Sequence, residues 1–262
     1  MPLVEHLYEL RRRMAWSLLA LAAGMALCGW AYYQPVFDVI RGPYCRTPAA
    51  GPHCALYVRD IFGQFQVRLQ IAGIAGSVVS SPVWLYQIGA FITPALYRGE
   101  RRYAAGFLMA SLVLFGTGVA CAYATMSQGL QFLLTVGGPG LVSLPDLQSY
   151  LHFATLTLLA FGVSFLFPVL LSFLNVVGLL SAARMRGMWR GMIVGIAVFT
   201  AVITPSTDPF TFMAMAIPLW LLYGVCILLA LLMDRRRRRQ NPGANAWADD
   251  ELSPLDDRSA PR

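Results

Sequence analysis

The sequence predicts an all-α membrane protein with six transmembrane helices. Of its 262 residues, 57% are hydrophobic and only 13% are charged, whereas soluble domains carry about 25% charged residues. The apolar residues fall into runs long enough to cross a hydrocarbon core of about 30 Å. Every basic residue is an arginine, and most arginines stand at the ends of these runs, where they orient a chain in the bilayer. The net charge of +7 therefore reflects membrane topology, and we predict no nucleic-acid partner.

The first predicted helix follows a short amphipathic N-terminus, residues 1–13. The span 14–33 contains no charged residue and ends in the interfacial aromatic side chains Trp30, Tyr32 and Tyr33. It is too long for the apolar core of an ordinary signal peptide, and no clear cleavage site follows it. We therefore expect it to remain as a transmembrane helix.

The remaining runs predict five more helices and a polar tail. Arg68 precedes the second run, and Pro168 predicts a kink in the fourth. Only seventeen uncharged residues separate Arg190 from Asp208, which predicts a short fifth helix, and we expect a short sixth helix as well. The polar residues 240–262 predict a disordered cytoplasmic tail. The predicted spans are 14–33, 69–92, 103–125, 150–180, 191–203 and 210–233.

The distribution of arginines predicts the orientation. Sixteen arginines flank the runs on the side of the two termini, and four lie in the alternate connections. By the positive-inside rule both termini are cytoplasmic. The outer connections are then 34–66, 126–149 and 204–209.

The sequence gives little support to catalysis or to ion transport. The three histidines lie on different segments, without the spacing of a metal site, and no Gly-rich phosphate loop is present. We therefore predict no enzyme activity, no metal and no cofactor. A small secondary transporter is the alternative reading, but such proteins use ionisable residues inside the membrane. The predicted spans carry none near their middles, and Asp208 stands at an outer turn, where an aspartate commonly caps a helix.

Two clusters on the cytoplasmic side combine a carboxylate with arginines. One is Glu9 with Arg11–Arg13, and the other is Glu100 with its neighbours in the loop 98–102. One interpretation is local ion pairing, which contributes little at an exposed surface. The other is a site for a partner that carries guanidinium groups, since arginine and carboxylate pair through two parallel hydrogen bonds.

Several segments together resemble one family. HLYELRRR at 6–13 is similar to the start HLxELRxR of the TatC family, the multi-spanning subunit of the twin-arginine protein translocase. The segment SSPVWLYQIGAFITPALYRGERR at 80–102 resembles the family signature SAPxxxYQxxxFxxPALYxxERR. The segments FGVSFLFPV at 161–169, TPSTDP at 204–209 and IPLWLLY at 217–223 resemble its fourth helix, its last outer turn and its last helix.

The resemblance implies a receptor in the cytoplasmic membrane of a bacterium that binds the twin-arginine signal peptides of folded proteins. It also implies a concave, glove-like bundle and transport driven by the proton-motive force. The implied partners are TatA- and TatB-type single-span subunits at the fifth and sixth helices, and further copies of the receptor. The implied signal-binding residues are Glu9, Arg11, Phe91, Tyr97, Glu100 and Arg102, and the implied structural or partner residues are Pro43, Pro94, Pro205 and Asp208.

The chain departs from the family pattern at two positions. Leu166 replaces a glutamate that is frequent in the fourth helix, so any role of that acid is absent here. Gly224 stands where a common variant has an acidic residue. Neither departure touches the implied signal-binding positions.

Two of the five cysteines predict a disulfide. Cys45 and Cys54 fall in the first outer connection, and disulfides persist outside the cytoplasm. Pro48, Gly51 and Pro52 between them favour the turn that this bridge requires. Two free thiols are the alternative. Cys28, Cys121 and Cys226 fall in membrane runs and are interpreted as small packing residues.

Overall fold

The structure is a computed structural model of the chain. Within helices, the structure describes only the backbone of residues 3–7, 92, 101–105, 176, 182–183 and 233–240. The described residues are 3–47, 54, 56–58, 60–92, 101–135, 146–176, 180, 182–204 and 208–240. The predicted tail therefore lies outside the described residues, apart from Gln240.

All regular elements in these ranges are helices, which confirms the predicted all-α class. A single β-bridge joins Tyr57 to Asp146, and the Leu147 backbone N–H donates to the Tyr57 carbonyl at 2.9 Å. The helices are α1 (Leu3–Ala26), a π-helical continuation (Leu27–Ala31), α2 (Tyr33–Cys45), α3 (Gly63–Val79), α4 (Ser81–Ile92), α5 (Arg101–Thr135), α6 (Leu147–Ser164), α7 (Phe167–Val176), α8 (Ala182–Gly187), α9 (Trp189–Ile203) and α10 (Pro209–Gln240).

Four helical stretches in the described chain are long and apolar enough to cross a membrane. They are Tyr8–Ala31, Gly106–Thr135, Leu147–Asn175 and Pro209–Leu232. The pair α3 and α4, bent by 55°, makes a fifth if it is one span. The helix α9, with 15 residues, is short, as predicted. A sixth span and cytoplasmic termini remain predictions.

The structure corrects several predicted boundaries. The outer connection 34–66 contains the helix α2, whose apolar side chains Ile40 and Tyr44 are buried. The third helix continues past residue 125 to Thr135. The sixth helix is not short, because its apolar part covers 24 residues and the helix runs on to Gln240. Arginine is a good helix former, so the basic run extends that helix instead of ending it.

The predicted kink at Pro168 is confirmed as an interruption of the fourth run. α6 ends at Ser164, a turn covers Phe165 and Leu166, and α7 begins at Phe167. Proline has no N–H to donate and suits the first turn of a new helix. Leu166 therefore lies in this turn, not in a continuous helix.

Close backbone contact holds α1 against α3. A Cβ atom built on Gly76 would lie 2.7 Å from the Met25 backbone nitrogen, and one built on Gly24 would lie 2.9 Å from the Gly76 carbonyl oxygen. One turn earlier on α3, a Cβ on Gly29 would lie 2.8 Å from the Ala72 Cβ. Small residues are typical of membrane helices that approach each other this closely.

The buried core lies between α5, α6 and α10, with α2 closing one end. Tyr150 on α6 is buried, and its hydroxyl donates to the Ile40 carbonyl of α2 at 2.6 Å. The Tyr150 and Tyr44 rings lie 5.7 Å apart. This contact fixes α2 over one end of the bundle.

Candidate functional site

The helix α1 carries the first predicted carboxylate, Glu9. Oε1 of Glu9 accepts bonds from Arg13 Nε at 3.0 Å and from Arg13 Nη2 at 2.6 Å. The side chain is 32% exposed. Of the predicted neighbours Arg11–Arg13, the structure pairs Glu9 with Arg13, since helical residues four apart share a face and residues two apart do not. Arg11 is exposed on the same segment.

The second predicted cluster is only partly described. Phe91 lies half-buried in the last turn of α4. Arg102 is in the first turn of α5, although its side chain is outside the description. Tyr97, Glu100 and Pro94, with the loop that connects α4 to α5, lie outside the described residues.

The antiparallel packing of α1 on α3 and α4 brings Glu9 and Phe91 to one end of the molecule. Gly29 faces Ala72, and Gly24 faces Gly76, so a step towards the N-terminus of α1 is a step towards the C-terminus of α3. α1 also packs against α4, which continues from α3. Glu9 and Phe91 therefore lie at the same end, and the segment with Glu100 begins there.

A shallow groove lies on one face of α1. It has a volume of about 370 Å³, and its described lining is Leu10, Arg11, Met14, Ala15 and Leu18. Four of these side chains are apolar, and the fifth is the cation Arg11. The groove therefore offers mainly apolar surface, which suits the apolar segment of a bound peptide.

The bend between α3 and α4 fixes the direction of α4. Trp84 Nε1 donates to the Ser77 carbonyl at 3.0 Å, and this bond crosses the break at Ser80. The Trp84 ring meets Phe115 of α5 edge to face, with ring centres 5.2 Å apart. Both contacts hold α4 at 55° to α3. Sequence reasoning missed this role, because a tryptophan in an apolar run gives no sign of it.

We expect Trp84→Phe to loosen this bend, because it keeps an aromatic ring and removes the N–H donor. A net hydrogen bond contributes about 1 kcal/mol, so the protein should still fold. Spin labels on α1 and near the end of α4 should show a broader distance distribution. Trp16→Phe is the matched control, because Trp16 is exposed on α1. An unchanged distribution in Trp84→Phe would contradict this role.

Asp208 caps α10. Its Oδ2 accepts the Thr211 backbone N–H at 2.6 Å, and the residue is completely buried. A Cβ on Gly129 of α5 would lie 3.2 Å from Oδ2, so the cap packs directly on α5. The capping role that the sequence suggested is therefore present in the structure. Pro205, in the same turn, lies outside the described residues.

The connection between α1 and α3 holds the other predicted structural residues. Pro43 is buried in α2. A disulfide joins Cys45 at the end of α2 to Cys54, with the two Cα atoms 5.2 Å apart. Burial, and to a smaller extent the nearby Tyr57, raises the pKa of Tyr44, so this phenol stays neutral. The disulfide ties the end of α2 to the segment that contains Tyr57. The Tyr57 carbonyl in turn accepts the backbone N–H of Leu147, at the start of α6.

The disulfide is a testable prediction for the protein in its membrane. Digestion without reduction should yield one linked peptide pair that contains Cys45 and Cys54. Cys121, a half-buried free cysteine on α5, serves as the control for alkylation. Alkylation of both Cys45 and Cys54 before any reduction would contradict the bridge.

The described residues provide no metal centre. No group of three or more histidine, cysteine, aspartate or glutamate side chains in these ranges is placed to hold a metal ion. The described part of the candidate site consists of the Glu9 carboxylate, the guanidinium groups near it on α1 and the apolar groove. These groups can bind a peptide.

Comparisons with known proteins agree on one family. The family model described as "Sec-independent protein translocase protein (TatC)" matches residues 5–218. A relative of that name from Frankia casuarinae is 46% identical, over 100% of this chain and 74% of its own length. The chloroplastic relative from Oryza sativa is 35% identical, over 85% of this chain and 61% of its own length.

A solved structure has the same fold. The crystal structure of a twin-arginine translocase receptor, TatC, in the detergent DDM superposes with a TM-score of 0.71 and 32% identity. The match covers 86% of this chain and 99% of the other. These matches make the chain a membrane component of a protein translocase and not an enzyme, as the sequence predicted. The chain belongs to the TatC family of Sec-independent protein translocase proteins.

Proposed function

We propose that this chain is the receptor of a twin-arginine translocase and that it binds the paired arginines of signal peptides with Glu9 and Glu100. It would do so at the cytoplasmic face of a bacterial inner membrane, with six spans and both termini inside. The observation that supports the proposal is the antiparallel crossing of α1 and α3, which places Glu9 at the end of the molecule where the segment with Glu100 begins.

The geometry of Glu9 suits an incoming guanidinium. Both bonds from Arg13 go to Oε1. Oε2 accepts no bond among those that the structure shows for the described residues, so an arginine of the signal can bind it without displacing Arg13. Arg13 keeps the carboxylate oriented while the site is empty. Arginine pairs with a carboxylate through a fork that lysine lacks, so twin arginines are preferred over twin lysines.

The apolar part of a signal peptide follows its arginines. The groove that contains Arg11, with its apolar lining from Leu10 to Leu18, lies on the same helix as Glu9. We infer that the first apolar residues of the signal lie in this groove and then continue along α4 beyond Phe91. Arg11, Tyr97 and Arg102 would surround the bound arginines and orient the two acids.

A test of this function is copurification of a precursor with the receptor in detergent. An intact twin-arginine precursor should copurify with the full chain, and the same precursor with twin lysines should copurify poorly. Equal recovery of both precursors would contradict recognition of the arginine pair. Recovery of neither, from protein whose disulfide and helix content are intact, would contradict the receptor function itself.

We also propose that TatA- and TatB-type subunits dock at α9 and α10, that receptor copies associate, and that the proton-motive force drives transport. The short helix α9 supports a docking edge, because mismatch with the bilayer favours association with another helix. Gly195 and Met213 are exposed on this edge, and Thr204 is half-buried. Thr200, Thr211 and Met215 are buried in the core, so they are not part of this edge.

The docking edge predicts a specific pattern of crosslinks. A cysteine at Met213, which is 46% exposed, should crosslink to a single-span partner helix. Met215 is completely buried two residues further on, so a cysteine there is the matched control and should not react. Crosslinks that appear only from α1 would contradict a docking edge at α9 and α10.

A further inference from the structure

Arg68 is held in an unusual position where α1 ends and α3 begins. Its Nε donates to the Gly29 carbonyl at 2.9 Å. Gly29 lies in the π-helical segment Leu27–Ala31. The guanidinium carbon lies 5.5 Å from the centre of the Trp30 ring and 5.1 Å from that of Tyr33. One hydrogen bond and two aromatic faces therefore fix the orientation of this cation.

The charge of Arg68 has no counter-ion in the described part of the chain. The two ion pairs that the structure shows among these residues are Arg13 with Glu9 and Arg41 with Asp38. Arg68 is exposed, and its bond to Gly29 uses only the Nε–H group. The N–H groups on its two terminal nitrogens remain available to an external acceptor, and guanidinium prefers anions with two oxygens side by side.

The surroundings of Arg68 are those of a membrane boundary. The apolar stretch that contains α1 ends at Ala31. Arg68 is the sole charged residue in α3 and α4. Apolar side chains around it are exposed, with Trp30 at 85%, Phe65 at 67% and Leu69 at 53%. Aromatic residues collect at the level of the lipid headgroups, so an anion from the headgroup layer is within reach of this guanidinium.

We propose that Arg68, Trp30 and Tyr33 form a binding site for the phosphate group of an anionic phospholipid. The terminal nitrogens of Arg68 bind the phosphate oxygens, and the exposed Trp30 and Leu69 side chains contact the glycerol and the upper acyl chain. The fixed guanidinium loses little rotamer freedom when the lipid binds, so this arginine is a better lipid site than a mobile surface arginine. A lipid with net negative charge is preferred over a zwitterionic one, whose ammonium group competes with Arg68.

Native mass spectrometry of the full chain, titrated with phosphatidylglycerol in detergent, tests the site. Arg68→Gln should reduce the affinity for the first bound lipid by about tenfold, the loss expected for a hydrogen bond to a charged group. Arg41→Gln is the matched control, because Arg41 also lies over an aromatic ring, with its side chain 43% exposed, but has Asp38 as its partner. It should leave the first binding step unchanged. Trp30→Ala keeps the charge and should weaken binding less than Arg68→Gln.

The outcomes separate this site from general attraction between charges. An equal loss in Arg41→Gln and Arg68→Gln would contradict a built site and indicate a diffuse surface effect. Binding that is unchanged in Arg68→Gln would overturn the proposal. Inorganic phosphate added in excess should not displace the lipid, and displacement would show that the site binds a free anion without the acyl chain. Arg68→Lys, which keeps the charge but loses the bond to Gly29, should retain intermediate affinity, and wild-type affinity in this variant would contradict the role of the fixed guanidinium.

Discussion

Replacing Glu9 and Glu100 together with glutamine should remove most of the crosslinking between the receptor and a labelled twin-arginine signal peptide. Each substitution keeps the shape of the side chain and removes its charge. A hydrogen bond to a charged group contributes about 1.5–3 kcal/mol, and solvent screening at a partly exposed acid such as Glu9 lowers that figure. We therefore expect a loss of about tenfold or more in the double variant, measured at equal expression.

Asp38→Asn is the matched control for this experiment. Asp38 is exposed and forms an ion pair with Arg41, as Glu9 does with Arg13. Asp38 lies on α2, which follows the C-terminal end of α1, whereas Glu9 lies near the N-terminal end of α1. The Asp38→Asn substitution should leave crosslinking to the signal peptide unchanged. Crosslinking that persists in the double glutamine variant would show that Glu9 and Glu100 are only partners of their neighbouring arginines.

Gly76→Ala should destabilise the protein strongly. The added Cβ would lie 2.7 Å from the Met25 nitrogen and 2.9 Å from its Cα, and backbone atoms cannot move away as a flexible side chain can. Overpacking of this kind costs about 1–3 kcal/mol, which corresponds to a fall in Tm of about 2–12 °C for a chain of this size. The measurement is thermal unfolding in detergent.

Gly73→Ala is the control for this substitution. Gly73 lies one turn earlier on α3, and a Cβ there would meet nothing within 4 Å. Alanine favours a helix over glycine by about 1 kcal/mol, so this variant should be at least as stable as the unchanged protein. If both variants unfold at the same temperature, the close contact of α1 with α3 does not determine stability.

The sequence predicted those features that depend on local pattern. Uncharged runs predicted the apolar helices, Pro168 predicted the break before α7, and the spacing of arginine and aspartate predicted the short α9. The segments HLYELRRR and SSPVWLYQIGAFITPALYRGERR predicted the family. Each signal is contained in a few neighbouring residues, so it can be interpreted without knowledge of the packing.

Features that depend on contact between distant segments were missed. The bond from Trp84 to Ser77 crosses a helix break, and Arg68 finds its acceptor in Gly29, 39 residues away. The helix α2 was predicted as an irregular connection because it contains two prolines and polar residues, yet Tyr150 of α6 anchors it. The sixth helix was expected to be short from the family resemblance, yet its apolar part covers 24 residues.

The most direct test of the central claim is a thermodynamic cycle between receptor and signal. The affinities of a twin-arginine and a twin-lysine signal peptide are measured for the unchanged receptor and for the Glu9→Gln, Glu100→Gln double variant in the same nanodiscs. If the two acids bind the arginines through forked hydrogen bonds, the unchanged receptor prefers the arginine signal and the double variant has lost that preference. A preference of the same size in both receptors would contradict the claim, because other groups would then recognise the arginine pair.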